Sequence, residues 1–594
     1  MKDFLKFTLA TILGIMVAGF VGILLLIGTF SAMLSFSEKP ADVKDKSLLI
    51  MRLEDKIVER SDKNPFTNLN LPMGMMNIVG TQESGLDDIL ECIRKAKEDD
   101  RIRGIFLTPT IINAGLGSIE EIRNALIDFK TSGKFIYAYG EALSQKAYYL
   151  ISVADKIALN PKGIIEFKGL SAERNFFKNA LDKLGVQMQV IRHGKFKAAV
   201  EPYIREDMSP ENKLQTKTYI SSIWNQMLTE ISASRGLDAD QLNRLADGVT
   251  TFQQAEFLKQ SGLVDTLMYK DEVINDLKKM TSIRENTDLR VVNLRNYTKV
   301  PAKTDGKGLA RDKIAVIYAS GDIDMGDDGL EGIHSEELSK TIREARRDSS
   351  IKAIVLRINS PGGSAYGAEV IWREVKLAAE AKPLIASMGD VAASGGYYIA
   401  AAADTIMADR TTITGSIGIF AVIPNVGKLL NDKLGITQDV VNTNEHSDIL
   451  SLTRPMTSFE QALLQNYIET GYDTFIGRVA EGRNMSSEQV DEIGQGRVWS
   501  SVNAKEIGLV DLYGGVNDAI KLAAGLSGLD HYRVVQLPKI KDPIEEWIMN
   551  LSGEARAHII KSELGNQYKI YQELKEISTT RGILTRVPYD IQIN

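Results

Sequence analysis

The sequence predicts an α/β protein built by tandem duplication, with strands and helices alternating in each of two copies. Three observations predict it. Residues 134–160 (KFIYAYGEALSQKAYYLISVADKIALN) align without a gap on residues 383–409 (PLIASMGDVAASGGYYIAAAADTIMAD). Gly140 falls on Gly389, Tyr148-Tyr149 on Tyr397-Tyr398 and Ala154-Asp155 on Ala403-Asp404. At the same offset Arg101-Ile102-Arg103-Gly104-Ile105 falls on Ser350-Ile351-Lys352-Ala353-Ile354, and one residue further on Asp182-Lys183-Leu184-Gly185 falls on Asp432-Lys433-Leu434-Gly435. Finally, each copy reads as short apolar runs separated by helical periodicity, the signature of parallel α/β units.

The elements follow in order. Residues 47–53 (SLLIMRL) and 313–321 (KIAVIYASG) read as the opening strands. Helices are expected at 86–97 and 336–346, then buried strands at 102–107 and 353–358. Further helices are expected at 118–129 and 365–381, then strands at 135–139 and 384–387. A helix dense in Ala and Tyr precedes a last strand at 156–159 and 405–408. Each copy then carries a later helix, near 213–234 and 459–481. The polar, Pro- and Gly-containing stretch 296–312 reads as the connection between copies. The expected division is therefore an N-terminal stub and anchor at 1–45, a first repeat at 46–300, a linker at 301–312, a second repeat at 313–540 and a helical tail at 541–594.

A chain of 594 residues is too long for one core, which agrees with two repeats. Residues 7–37 carry no charge and include IMVAGFVGILLLIGTF, enough to cross a bilayer as one helix. The apolar stretch is longer than a cleaved leader needs and its exit, SAMLSFSEKP, is a poor cleavage site, so an uncleaved anchor is expected. Lysines on both sides leave the charge rule undecided, and the short N-terminal stub favours a body outside the cytoplasm. A net charge of −7 gives no electrostatic ground for nucleic acid. The single cysteine, Cys92, lies in a helical pattern and reads as a small buried side chain. No Cys/His spacing suits a metal and no G-x-x-x-x-G-K-[ST] suits a nucleotide, so no cofactor is expected.

The two copies differ where chemistry could reside. In I-A-S-M-G-D-V-A-A-S-G-G-Y-Y, Ser394 sits at a strand-to-helix turn, where free N–H groups and the helix dipole favour negative charge. Alone, such a serine reads as an N-cap. The turn Arg357-Ile358-Asn359-Ser360-Pro361-Gly362-Gly363-Ser364 changes that reading. Its glycines can aim backbone N–H groups at a developing oxyanion, each donor worth about 3 kcal/mol of barrier. The first copy has Gln145 and Ile111-Ile112-Asn113-Ala114 at these positions. It has instead Lys197, in G-K-F-K-A-A-V-E-P, where the second copy has Ser447. A serine nucleophile needs a base. The five histidines (His193, His334, His446, His531, His558) are scattered outside any Gly-rich motif, which leaves Lys197. A lysine serves only when burial lowers its pKa by several units. Lys195, two residues away, reads as an exposed control, and Ser416 in T-I-T-G-S-I-G-I-F is the best hydroxyl to orient the amine.

Taken together, M-G-D-V-A-A-S-G-G-Y-Y, R-I-N-S-P-G-G-S, T-G-S-I-G-I-F and G-K-F-K-A-A-V-E-P resemble the signal peptide peptidase A family, in the long tandem-repeat form of the serine-lysine peptidases. The resemblance runs from the anchor to about residue 540. It implies a crotonase-like, Clp-protease-like α/β fold in each repeat. It implies Ser394 as nucleophile, Lys197 as general base, Ser416 as the lysine's partner, and an oxyanion hole of backbone N–H groups drawn from Gly362, Gly363 and Gly395. It further implies a bowl-shaped homo-oligomer, a tetramer, in a bacterial inner membrane with the catalytic body on the periplasmic side, degrading residual signal peptides. Two other readings compete: acyl-CoA chemistry on a crotonase-like fold, and a non-catalytic envelope scaffold. The first leaves the paired Ser394 and Lys197 unexplained, and the second predicts no labelling of Ser394 by a serine-directed acylating probe.

Overall fold

This computed structural model describes residues 42–61, 83–302, 310–326, 332–539 and 582–586, with isolated positions before residue 23. The expected anchor at 7–37 and the expected tail helices beyond 541 lie outside the described residues, apart from those isolated positions and the strand at 582–586. Among the described residues no helix is long and apolar enough to cross a membrane.

The first repeat forms a six-stranded parallel sheet. Its order is Thr266–Leu267, Lys156–Ile165, Phe135–Leu143, Ile102–Leu107, Ser47–Met51, Val291–Asn293. The second repeat repeats this plan in the order Val498–Ser500, Ile413–Gly415, Leu384–Ala393, Ile351–Ser360, Lys313–Ser320, Arg533–Leu537, with Thr405–Ala408 pairing beside Leu384–Ala393. The pairing of Ile413–Gly415 with Val498–Ser500 is antiparallel. Parallel strands covered on both faces read as continuous apolar runs, and IKAIVLRINS is buried along nearly its whole length. Helices Leu86–Glu98, Leu116–Lys130, Ser335–Arg347 and Ala365–Ala379 cover the sheets, and Pro210–Arg235 and Ser458–Arg483 are the matching long helices. The expected elements thus appear in order. Strands run longer than expected where they carry the site: 384–387 extends to Ala393, and 353–358 to Ser360. The connecting stretch begins as helix, Leu294–Thr298.

The repeats share part of their core, and the second repeat has a further cluster of its own. A single apolar cluster joins Ile105, Ile122, Tyr148 and Phe167 of the first repeat to Val316, Val355, Ile385 and Val516 of the second. Cys92 is buried in it, with its thiol pushed up to about 12 by burial.

A third sheet is composite. It runs Ile333–His334, Ile323–Asp324, Gly362–Ser364, Gly582–Arg586, Phe420–Asn425, Gln187–Arg192. The last strand is from the first repeat and pairs antiparallel with the second along its length, from Arg192 opposite Phe420 to Gln187 opposite Asn425. That pairing carries the first repeat's chain to the edge of this composite sheet, beside a strand of the second repeat.

Candidate active site

Lys197 lies five residues beyond that strand, at the start of the 3₁₀ turn Ala198–Val200. Its backbone is fixed on both sides. Phe196 N donates to Gln495 O at 2.9 Å, and Arg192 Nη1 donates to Lys197 O at 3.1 Å. Gly496 packs against it with φ +77°, where a Cβ would stand 2.6 Å from Lys197 Cβ. The lysine is fully buried, 0 % exposed, while Lys195 is exposed. Its Nζ lies 2.7 Å from Ser394 Oγ and donates to Ser416 O and to Ser416 Oγ, both at 3.1 Å. Burial holds the amine well below the ordinary lysine range. The structure therefore brings Lys197, Ser394 and Ser416 together within one chain.

Ser394 links Leu384–Ala393 to helix Gly395–Ala400. It adopts φ +55°, ψ −115°, a conformation that costs a serine about 1–3 kcal/mol and persists only where its surroundings fix it. Here Ser394 N donates to Gly415 O at 2.8 Å, and Tyr398 N donates to Ser394 O at 2.8 Å. Although Ser394 occupies the N-cap position, its side chain makes no capping bond; Oγ faces Lys197 instead. The simple N-cap reading is thereby corrected. Ser416 also has positive φ, +52°, and its Oγ donates to Gly496 O at 3.4 Å while accepting from Lys197. Removing that hydroxyl in Ser416→Ala should lower kcat about tenfold, the worth of one orienting hydrogen bond. Steady-state kinetics on a peptide substrate check this, and an unchanged kcat would remove Ser416 from the site.

The glycine turn lies beside the serine. Gly363 has φ +155° and a Cβ there would stand 2.1 Å from Ile323 O, so no larger residue fits. Gly362 N–H is engaged with Ser360 Oγ at 3.2 Å. Gly395 N–H is the first amide of its helix, one of those that a helix leaves without an intrahelical acceptor. Of the three glycines named from sequence, Gly395 has the amide best suited to an oxyanion, since Gly362 N–H is engaged and Gly363 is paired in the composite sheet with Ile323 and Thr585.

In the first repeat the corresponding positions are closed. Gln145 is buried, donating to Gly169 O at 3.0 Å and accepting from Lys168 N and Gly169 N at 2.9 and 3.0 Å. Ser447, the counterpart of Lys197, lies exposed in a loop. His193 is engaged elsewhere, its Nδ1 2.5 Å from Glu469 Oε2 and its ring stacked on Tyr472.

Sequence reasoning missed the charged groups that dock the repeats. Arg357, quoted above only as part of a motif, is fully buried. It donates to Glu59 at 2.7 and 3.2 Å and to Glu121 at 2.5 Å, both in the first repeat. Beside it, burial keeps Asp409 well above the usual carboxylate range. Glu120 is raised to about 7, chiefly by burial, and accepts from Arg410 N, Thr411 N and Thr411 Oγ1 at 3.0, 2.9 and 2.7 Å. Asp390 accepts from Ser118 N and Oγ at 2.8 and 2.9 Å. A signal existed: an arginine inside the apolar run AIVLRI must find partners if that strand is buried.

The chain is similar in sequence to known proteins. The family model "Peptidase family S49" matches twice, at residues 128–284 and 376–530. "Protease 4" of Salmonella typhi is 38% identical over 486 residues, covering 80% of this chain and 77% of the relative. "Serine protease SPPA, chloroplastic" of Arabidopsis thaliana is 32% identical over 551 residues, 92% of this chain and 78% of the relative. Among solved structures, a mutant ClpP1 from Listeria monocytogenes aligns with 34% of this chain and 94% of its own, at 18% identity and TM-score 0.24.

Proposed function

The chain belongs to peptidase family S49, and on that premise we propose that it is a serine endopeptidase using Ser394 as nucleophile and Lys197 as general base. The observation that supports this most is the buried Lys197 Nζ at 2.7 Å from Ser394 Oγ. Neutral Lys197 accepts the Ser394 hydroxyl proton as Oγ attacks a peptide carbonyl. Backbone N–H groups, with that of Gly395 the best candidate, hold the tetrahedral oxyanion. The Lys197 ammonium then protonates the leaving amine, which departs and leaves an acyl-serine. Regenerated as the amine, Lys197 takes a proton from water as its oxygen attacks the ester; the ammonium then returns that proton to Ser394 Oγ as the C–O bond breaks and the carboxylic acid product leaves.

The substrates we propose are extended apolar peptides such as residual signal peptides, bound by strand addition. In the same reading each repeat is crotonase-like, the chains associate as a homo-oligomer, a tetramer, and residues 7–37 anchor a periplasmic body to a bacterial inner membrane. No cofactor takes part.

The test is cleavage of a signal-peptide-like peptide followed against pH. The base is active when neutral, so kcat/KM should rise with pH through a midpoint well below 10.5. The activity should sediment with membranes, and a chain lacking residues 1–41 should carry it into the soluble fraction. No cleavage by the full-length chain in detergent would overturn the peptidase reading. Soluble activity from the full-length chain would overturn the anchor.

A further inference from the structure

The composite sheet has at its centre a strand from outside both repeats. Gly582–Arg586 runs antiparallel to both neighbours. On one side Gly362 pairs with Arg586, Gly363 with Thr585 and Ser364 with Leu584. On the other, Phe420 pairs with Leu584, Ala421 with Ile583 and Val422 with Gly582. Both neighbours are walls of the site. One is the glycine turn; the other follows Ser416 and holds the strand that leads to Lys197. Strands in a sheet stand about 4.8 Å apart, so without residues 582–586 these walls would face each other across a gap one strand wide.

Among the described residues of the inserted strand, Leu584 and Arg586 make the side-chain contacts. Leu584 packs on the cluster of Met188, Val200, Tyr203, Phe420 and Val422, of which Val200 and Tyr203 closely follow Lys197 in the chain. Arg586, two residues on and therefore on the same face, places Nη2 3.1 Å from Asp322 Oδ2, with its side chain 20% exposed. Backbone pairing supplies affinity without regard to sequence; these two contacts supply selectivity.

We propose that the C-terminal segment is a built-in competitor for the peptide slot, and that it displays the slot's preference. The slot takes an apolar residue at the position of Leu584 and a cationic residue two positions further on, recognised by Asp322. Tethering places such a segment at an effective concentration on the order of millimolar, so even a weak strand fills the slot. An external peptide must displace it. The proposal rests on the peptidase reading only for what the slot serves, because occupancy needs no catalysis.

The test uses the full chain carrying Ser394→Ala and the same chain ended after residue 581. The probe is a fluorescent synthetic peptide of residues 580–590, with binding read by anisotropy. The shortened chain should bind it saturably, and the full chain about tenfold more weakly or less. The peptide carrying Arg586→Glu should bind the shortened chain about tenfold more weakly, and Asp322→Lys in that chain should restore it. Should the shortened chain fail to fold, the full chain carrying Leu584→Asp and Arg586→Glu should bind as the shortened one would. Equal binding by full and open chains overturns the competitor, and indifference to the Arg586→Glu exchange overturns the role of Asp322. If the peptide binds as expected and wild-type protein cleaves no peptide at all, the occupancy stands and the peptidase reading falls.

Discussion

Replacing Lys197 by methionine should abolish peptide hydrolysis and at the same time make the fold more stable. Methionine preserves most of the buried stem and removes the amine. The loss in kcat/KM should be on the order of 10⁴-fold or more, the scale seen when one member of a nucleophile–base pair is deleted. Ser394→Ala should lose as much, and the double variant no more than either alone, because the two residues act as a unit. Stability should move the other way. The amine is fully buried and held below the lysine range by desolvation. Between its lowered folded pKa and the unfolded value near 10.5, the unfolded chain binds the extra proton, so wild-type stability rises with pH across that window. Lys197→Met removes this dependence and should gain about 1–3 kcal/mol near neutral pH, less as pH approaches 10.5. Urea unfolding at several pH values, run beside the kinetics, checks both signs. A variant that is inactive and also less stable at neutral pH would mean that the amine supports the fold rather than the chemistry.

The second large effect belongs to Arg357. Its guanidinium, 0 % exposed, is the buried cation between Glu59 and Glu121 of the other repeat. Arg357→Met leaves those carboxylates without it, and breaking a buried pair in this way costs about 3–5 kcal/mol. The cost should depend on pH. Glu59 is already raised by burial, with Arg357 the main opposing influence. Without the arginine its folded pKa rises further, the folded state binds the extra proton, and stability falls as pH rises above 4.5. The variant should therefore lose more stability at pH 8 than at pH 5. Activity should fall too, since the docking that Arg357 supports carries Lys197 to Ser394. A loss that is the same at both pH values, or full activity at neutral pH, would show that the network does not hold the repeats in register.

What could be read from the sequence and what could not divide along physical lines. Local patterns were legible. Continuous apolar runs placed the central strands, and the strand–turn–glycine pattern at Ser394 placed the serine at a helix start. The complementary losses in the two copies paired Lys197 with Ser394 without showing how they meet. The means is the antiparallel register of Gln187–Arg192 on Phe420–Asn425, a contact between distant segments that no local propensity encodes. Arg357 was visible as a charge in a buried strand, yet its partners Glu59 and Glu121 lie 298 and 236 residues away. The strand Gly582–Arg586 was hidden for a similar reason. GILTR is short, and its pairing depends wholly on two partners from another part of the chain. The positive φ of Ser394 and Ser416 was also out of reach, because serine does not favour it and only the surrounding hydrogen bonds enforce it.

The central claim is an uncharged amine, supplied by the first repeat, acting on the hydroxyl of the second. Its most direct test is the rate at which a serine-directed acylating probe labels Ser394, measured against pH in wild-type protein and in Lys197→Met. The rate in wild-type protein should climb through a midpoint well below 10.5 and should be lost at every pH in the variant. Labelling of Lys197→Met at the wild-type rate, or a wild-type midpoint at the ordinary lysine value of 10.5, would contradict it.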